Sequence, residues 1–306
     1  MMSFLRTLQE TAHEAAEHAA EAAEHGSEGF NLGETIMHHL VDSREIELPW
    51  GSYHLPSGWY VNLGPLGTVD LAPTKHVVLM LVAALLVFLV FTLLGRVVTR
   101  RSPDKAPSGF ANAIESLVLY FRDEVVRPNI GHGADAYTPY ILTLFFFILT
   151  MNLLGLVPWG GSATGNLSVT AALAVCSFIL VEISGMRALG MKGYMGTIFY
   201  APRGMNPAMR AVMLLIMTPV EFLGKLTKPF ALAVRLFANM TAGHTLVFAL
   251  GGLIFVFAGA AQWGVGLGST LLASAVMVLE VFVAFLQAYI FAMLTSVFVG
   301  LIRHAH

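Results

Sequence analysis

Five apolar runs dominate this chain of 306 residues, at 76–95, 138–158, 166–185, 211–262 and 268–302. A helix of roughly 20 apolar residues crosses the hydrocarbon core of a bilayer. Helices and closed barrels are the only structures that satisfy their own backbone groups there. The runs therefore predict an all-α integral membrane protein with five membrane-crossing segments. Charged residues make up only 12% of the chain, where a soluble domain carries about a quarter. A net charge of -2 offers no basic stripe for phosphates, so no nucleic-acid partner is expected. The single cysteine, Cys176, cannot form an intrachain disulfide. Within an apolar run it reads as a buried, inert thiol.

The last two runs are the least ordinary. The stretch 211–262 exceeds one crossing and contains Glu221, Lys225, Lys228, Pro229 and Arg235. Two readings stay open for it: a short span followed by a second, or one long tilted element interrupted near Pro229. Basic residues set the orientation. Arg96, Arg100, Arg101 and Lys105 follow the first span, Arg187, Lys192, Arg203 and Arg210 the third, and Arg303 the last. The stretches 159–166 and 258–268 hold no basic residue. This alternation places the N-terminus outside and the C-terminus in the cytoplasm.

Residues 1–35 form a low-complexity external tail rich in Ala, Glu and His, whose His13, His18 and His25 lack the spacing of a metal site. An external segment, 36–75, joins it to a transmembrane domain, 76–303. Residues 108–128 are amphipathic. They predict a helix lying in the cytoplasmic interface, with docking onto a partner subunit an equal use.

A charge at the centre of a spanning helix costs about 2.5–3.5 kcal/mol, so it faces a bundle interior or a water path. The candidates are Glu221, Lys225, Lys228, Arg235, His244 and Glu280, with the polar Asn239 and Gln287. Glu221, Lys228 and Arg235 recur every seven residues and share one helical face. Asn239 joins that face as the i+4 neighbour of Arg235. His244 turns to the opposite side, while Glu280 and Gln287 share a face of the last helix. Lys225 reads as snorkelling to the interface. Glu221 either pairs with Lys225 at i+4 or serves a proton path, and Glu182 reads as interfacial. Arg235, flanked by Leu, Phe and Ala, has no such outlet.

The segment KLTKPFALAVRLFANMTAGHTLVFAL (225–250), with ALAVRLFANM at its centre, resembles the signature of the ATP synthase subunit a family. TPYILTLFFFILTMNLLGLVPW (138–159), GNLSVTAALAV (165–175) and LEVFVAFLQAYIFAMLTSVFVG (279–300) resemble the family in the same order, over about 74–303. GETIMHHLVDS (33–43) resembles its external N-terminal stretch more weakly. The resemblance implies a stator of an F-type ATP synthase in the bacterial inner membrane, held by peripheral-stalk b subunits and working against a rotating ring of c subunits amid membrane lipids. Its last two helices would be a long, tilted hairpin enclosing two offset half-channels. Arg235 would be the essential arginine, with Asn239 and Gln287 beside the path and Glu221 a further candidate. His244 and Glu280 match positions lining the external half-channel. Some bacterial members hold Glu and His there, and the order here resembles the mitochondrial and alphaproteobacterial pattern. No cofactor or metal is implied.

The chemistry can be argued without the family. Desolvation raises the pKa of a carboxylate in lipid, and a fixed cation nearby lowers it and drives proton release. Arginine keeps its own proton at any working pH, so it opens no leak. A His/Glu pair supplies groups that exchange protons near neutrality. A secondary transporter or ion channel using Arg235 as an anion site would show inverted repeats, and none is visible. A membrane-embedded hydrolase would carry HExxH, GxSxG or a paired-carboxylate motif, and none occurs.

Overall fold

The computed structural model describes residues 43–48, 51–56, 58–62, 68–70, 72–99, 109–157, 161–199, 206–257 and 260–304. The tail 1–35 with its three histidines, most of 33–43, and Arg100, Arg101, Lys105 and Arg203 lie outside them. The described residues belong to two compact units, one containing Thr241–Glu280 and the other Asp42–Met240 with Val281–His306.

The larger unit begins with two antiparallel hairpins, β1 (Glu45–Leu48) with β2 (Gly51–His54) and β3 (Tyr60–Asn62) with β4 (Thr68–Asp70). These small ribbons in the segment 36–75 are the described exception to an otherwise helical chain. The Lys75 amide donates to the Ser43 carbonyl at 3.0 Å, tying the first ribbon to the start of α1 (Lys75–Thr99). Then come α2 (Phe110–Tyr120), a π-helical turn at Phe121–Val126 and α3 (Arg127–Ile130). The long helices α4 (Thr138–Gly155), α5 (Leu167–Ile198), α6 (Pro207–Val256) and α7 (Ala260–Arg303) follow.

Five helices, α1 and α4–α7, are long and apolar enough to cross a membrane. Helix α6 runs through both Pro219 and Pro229 without a break, which decides for one long element over two short spans. At 1.5 Å per residue the part of it within the larger unit, Pro207–Met240, alone extends about 51 Å against a hydrocarbon core of about 30 Å. An upright span of that length has no place in a bilayer.

The core explains the order of the elements. The ring of Phe121 lies 4.4 Å from that of Phe145 and 5.8 Å from that of Tyr289, and Phe91 meets Phe146 edge-on at 4.8 Å. Phe121, Val125, Val126 and Ile130 are buried. The amphipathic stretch expected at 108–128 is thus helical, but its second half enters the bundle. On α7 the buried residues Ala284, Ala288, Ala292, Thr295, Ser296 and Val299 form a seam of mostly small side chains, which lets backbones approach closely in a membrane bundle. The Ser296 hydroxyl donates to the Val125 carbonyl at 3.4 Å. Gly300 lies against the backbone of Asn129, so that a Cβ placed there would fall 2.9 Å from the Asn129 carbonyl carbon. Cys176, expected to be buried, is exposed on α5, because its position on the helix points away from the buried Ala174 and Ser177.

Candidate functional site

On α6, Leu232, Ala233, Leu236 and Met240 are buried, and the opposite face carries Thr227, Lys228, Ala231, Arg235, Ala238 and Asn239, all exposed. The three-and-four spacing of the two sets is that of one amphipathic helix. Glu221, Lys228 and Arg235 fall on the exposed side, as their seven-residue spacing requires. Arg235 is flanked there by alanines, so its guanidinium stands above a low surface. Among the described residues no carboxylate pairs with it.

Ten residues before Arg235 the arrangement reverses. The Lys225 ammonium lies 3.6 Å from Glu182 Oε2 and 4.4 Å from the centre of the Tyr194 ring. Tyr194 donates its hydroxyl to the same carboxylate, and Lys225 reaches Thr197 Oγ1 at 3.4 Å. Helix α5 achieves this by turning at Gly190, whose φ of 69° is open to glycine at little cost. Lys225 is therefore neither snorkelling nor paired with Glu221, and Glu182 is an internal counter-ion, with the two side chains only 11% and 13% exposed. A through-space partner on α5 outcompeted the i+4 neighbour. Glu221 and Lys228 line a cavity of about 110 Å³ beside this pair, together with Ser177 and Thr295.

Gln287 is buried on α7 between Ala284 and Ala288. Close by in the same unit runs a polar chain that the sequence reading missed. Buried Asn152 donates to the Ala284 carbonyl at 3.2 Å and accepts from Thr164 Oγ1 at 2.8 Å, and Thr164 meets Ser162 at 2.9 Å. The signal was available: an amide inside the apolar run 138–158 invites the question already asked of the charged residues.

In the smaller unit the ends of α6 and α7 form an antiparallel hairpin. The Glu280 carboxylate packs directly on Gly243, the residue preceding His244, and a Cβ at Gly243 would lie 2.9 Å from Glu280 Cδ. Ile254 faces Gly266 further along. A side chain at position 243 would take the space that the carboxylate occupies. The glycine thus admits Glu280 to the part of α6 that bears His244.

The model of the ATP synthase A chain family matches residues 74–300. Subunit a of ATP synthase from Anaeromyxobacter dehalogenans is 44% identical over 302 residues, covering 95% of this chain and 76% of the relative. Subunit a 2 from Chlorobaculum tepidum is 42% identical over 278 residues, with coverages of 88% and 72%. Subunit a from Chloroherpeton thalassium is 43% identical over 266 residues, with coverages of 87% and 75%.

Proposed function

We propose how this chain works from one premise: it belongs to the ATP synthase A chain family. It is a multi-pass subunit of the membrane sector of ATP synthase, acting with the other subunits of that sector in proton transport and ATP synthesis. Within that role Arg235 is the fixed cation that meets the lipid-buried carboxylate of each passing c subunit. The observation that carries this reading is a guanidinium exposed among alanines with no carboxylate paired to it among the described residues. Approach of a partner's protonated carboxyl would lower its pKa, so that its proton leaves and the resulting carboxylate supplies the pairing that lipid burial demands. Asn239, one turn on, extends the same contact face. The low surface lets a neighbouring helix come close.

Two offset half-channels complete the cycle. His244 and Glu280, brought to the same stretch of hairpin by Gly243, form the exchanging pair of the external one, with Gln287 beside the path. Glu221 belongs to the other, where the small cavity between α5, α6 and α7 gives water a foothold. Peripheral-stalk b subunits hold the chain against the ring's torque. Residues 1–35 and 36–75 lie outside the cell membrane, 76–303 form the transmembrane domain, and the C-terminus faces the cytoplasm. Each charge crossing the membrane releases about 2.3 kcal/mol per 100 mV, so several crossings support one ATP.

The experiment is ATP-driven acidification of inverted vesicles carrying Arg235→Ala in the assembled complex. Pumping is expected to fall to background while assembly persists; near-normal pumping refutes the assignment. Orientation is tested by cysteine labelling at position 303 in a Cys176→Ser background. Reagent added from the cytoplasmic side should react, and labelling from outside only would reverse the topology.

A further inference from the structure

Helices α1 and α4 do not close completely on each other. Between them, and beside the π turn, lies a groove of about 1150 Å³. Its composition changes along its length. Ala84, Val87, Phe88 and Phe91 of α1 and Leu142 and Phe147 of α4 make an apolar trough. Arg122, Arg127 and Asp135 line its other end, next to Thr138 at the start of α4. At 1.5 Å per residue, Phe147 stands about 14 Å deeper along α4 than Thr138. Both walls are helices long and apolar enough to cross a membrane, so the trough runs within the hydrocarbon layer and the arginines mark its boundary with the headgroups.

The two arginines are held in place without being used up. Arg122 gives Nε and Nη2 to Asp123 at 2.9 and 3.0 Å. Arg127 gives Nε and Nη2 to Asp135 at 2.9 and 3.1 Å, and Nη1 to Asp123 at 2.7 Å. The π turn, in which the Arg127 amide bonds to the Arg122 carbonyl, stacks the two side chains one turn apart. A guanidinium has five N–H donors, so both arginines have donors left for a third acceptor. Asp123 and Asp135 balance the charge of the two arginines, so what this end offers a ligand is its spare guanidinium N–H donors rather than net charge.

We propose that this groove is a binding site for one phospholipid, its phosphodiester on Arg122 and Arg127 and an acyl chain in the trough between α1 and α4. Phosphate oxygens match the planar guanidinium fork, and an acyl chain matches a trough whose two hydroxyls, Thr92 and Thr143, already donate to the Phe88 and Pro139 carbonyls of their own helices. A transmembrane helix of a partner would fill the apolar part equally well but gives the spare N–H donors of Arg122 and Arg127 no acceptor. The phosphate, not the apolar wall, decides between them.

The test uses the whole complex in vesicles of phosphatidylcholine and phosphatidylglycerol, doped with a phosphatidylglycerol bearing a photoreactive acyl chain. Cross-links mapped by mass spectrometry should concentrate on Leu142 and Phe147 relative to Leu85 and Leu89, which lie outside the groove. Unlabelled phosphatidylglycerol should compete, and diacylglycerol, which lacks the phosphate, should not. Arg122→Gln should lower groove labelling by about tenfold, the size of a charge-assisted hydrogen bond. Val87→Trp, which narrows the trough and leaves the ion pairs intact, should do so as well. Labelling spread evenly over both sides of α1, equal competition by diacylglycerol, or cross-links joining the groove to a partner subunit would each overturn the proposal.

Discussion

Lys225 and Arg235 stand ten residues apart on one helix and have opposite surroundings. Lys225 is turned inward onto Glu182, over Tyr194 and beside Thr197. Arg235 is turned outward over alanines and meets no carboxylate among the described residues. A charge in a membrane protein needs a counter-charge or water. When the chain supplies the counter-charge, the residue is part of the scaffold. When it does not, the counter-charge must come from elsewhere, which is the ground for proposing Arg235 as the working position. Hydropathy treats the two residues alike, and only their partners separate them.

The largest effect expected from this contrast comes from exchanging the two side-chain types. Arg235→Lys should abolish coupled pumping although the charge is kept, because a buried ammonium can titrate and lacks the fork. Lys225→Arg should keep most of the pumping. Acidification of inverted vesicles decides both, and a functional lysine at 235 would erase the distinction.

Next in size is the His244 and Glu280 pair. His244→Glu or Glu280→His alone should cut pumping by on the order of tenfold or more, the scale of one positioned proton-transfer group, because each creates a like pair. The double exchange restores one acid and one base and should recover part of the loss. A double variant no better than the product of the two single losses means that they act independently.

Breaking the internal pair should act on stability instead. Glu182→Gln leaves Lys225 buried without its counter-ion, and losing one partner of a buried pair costs about 3–5 kcal/mol. The complex should dissociate at lower temperature in a thermal ramp, yet pump at low temperature. Selective loss of pumping with unchanged thermal stability would move Lys225 from the scaffold to the path.

The smallest effect belongs to the exposed cluster. Hydrogen bonding to Arg122 holds the Asp123 carboxyl below the usual carboxylate range, and Arg127 does the same for Asp135. Lowered folded-state values mean that the stabilisation is complete above the unfolded carboxylate pKa, about 3.9, and is lost as pH falls through the lowered values. Solvent screening keeps it small. Asp135→Asn should leave thermal stability nearly unchanged at pH 7 and blunt its decline below about pH 4. An equal decline in both proteins would discharge the cluster from any such role.

Much of this was legible in the residues, for identifiable reasons. The five helices could be read because length and apolarity are properties of a single segment. Arg235 stood out as a candidate because a permanent charge in an apolar run is conspicuous without knowing its neighbours. The unbroken path of α6 could not, since Pro229 signals a break unless neighbouring groups re-satisfy the freed backbone. The ribbons between Glu45 and Asp70 are too short for strand periodicity to stand out. The partners of Lys225 and Asn152 were hidden for another reason. Glu182, Thr164 and Ala284 become neighbours only through the packing of separate helices, whereas sequence spacing reports only on neighbours within one helix.

Gly300 has a consequence for inheritance. Glycine is the only amino acid without a Cβ, so every missense change at this codon places an atom against the Asn129 carbonyl. The obstacle is main chain, which no rotamer can relieve. Codon 300 therefore has no conservative substitution, and the gene can drift there only through synonymous changes. A saturation library selected for growth on a non-fermentable carbon source should return glycine at 300 while accepting several residues at the exposed position 301. Recovery of alanine at 300 would show that α7 can shift away from α3.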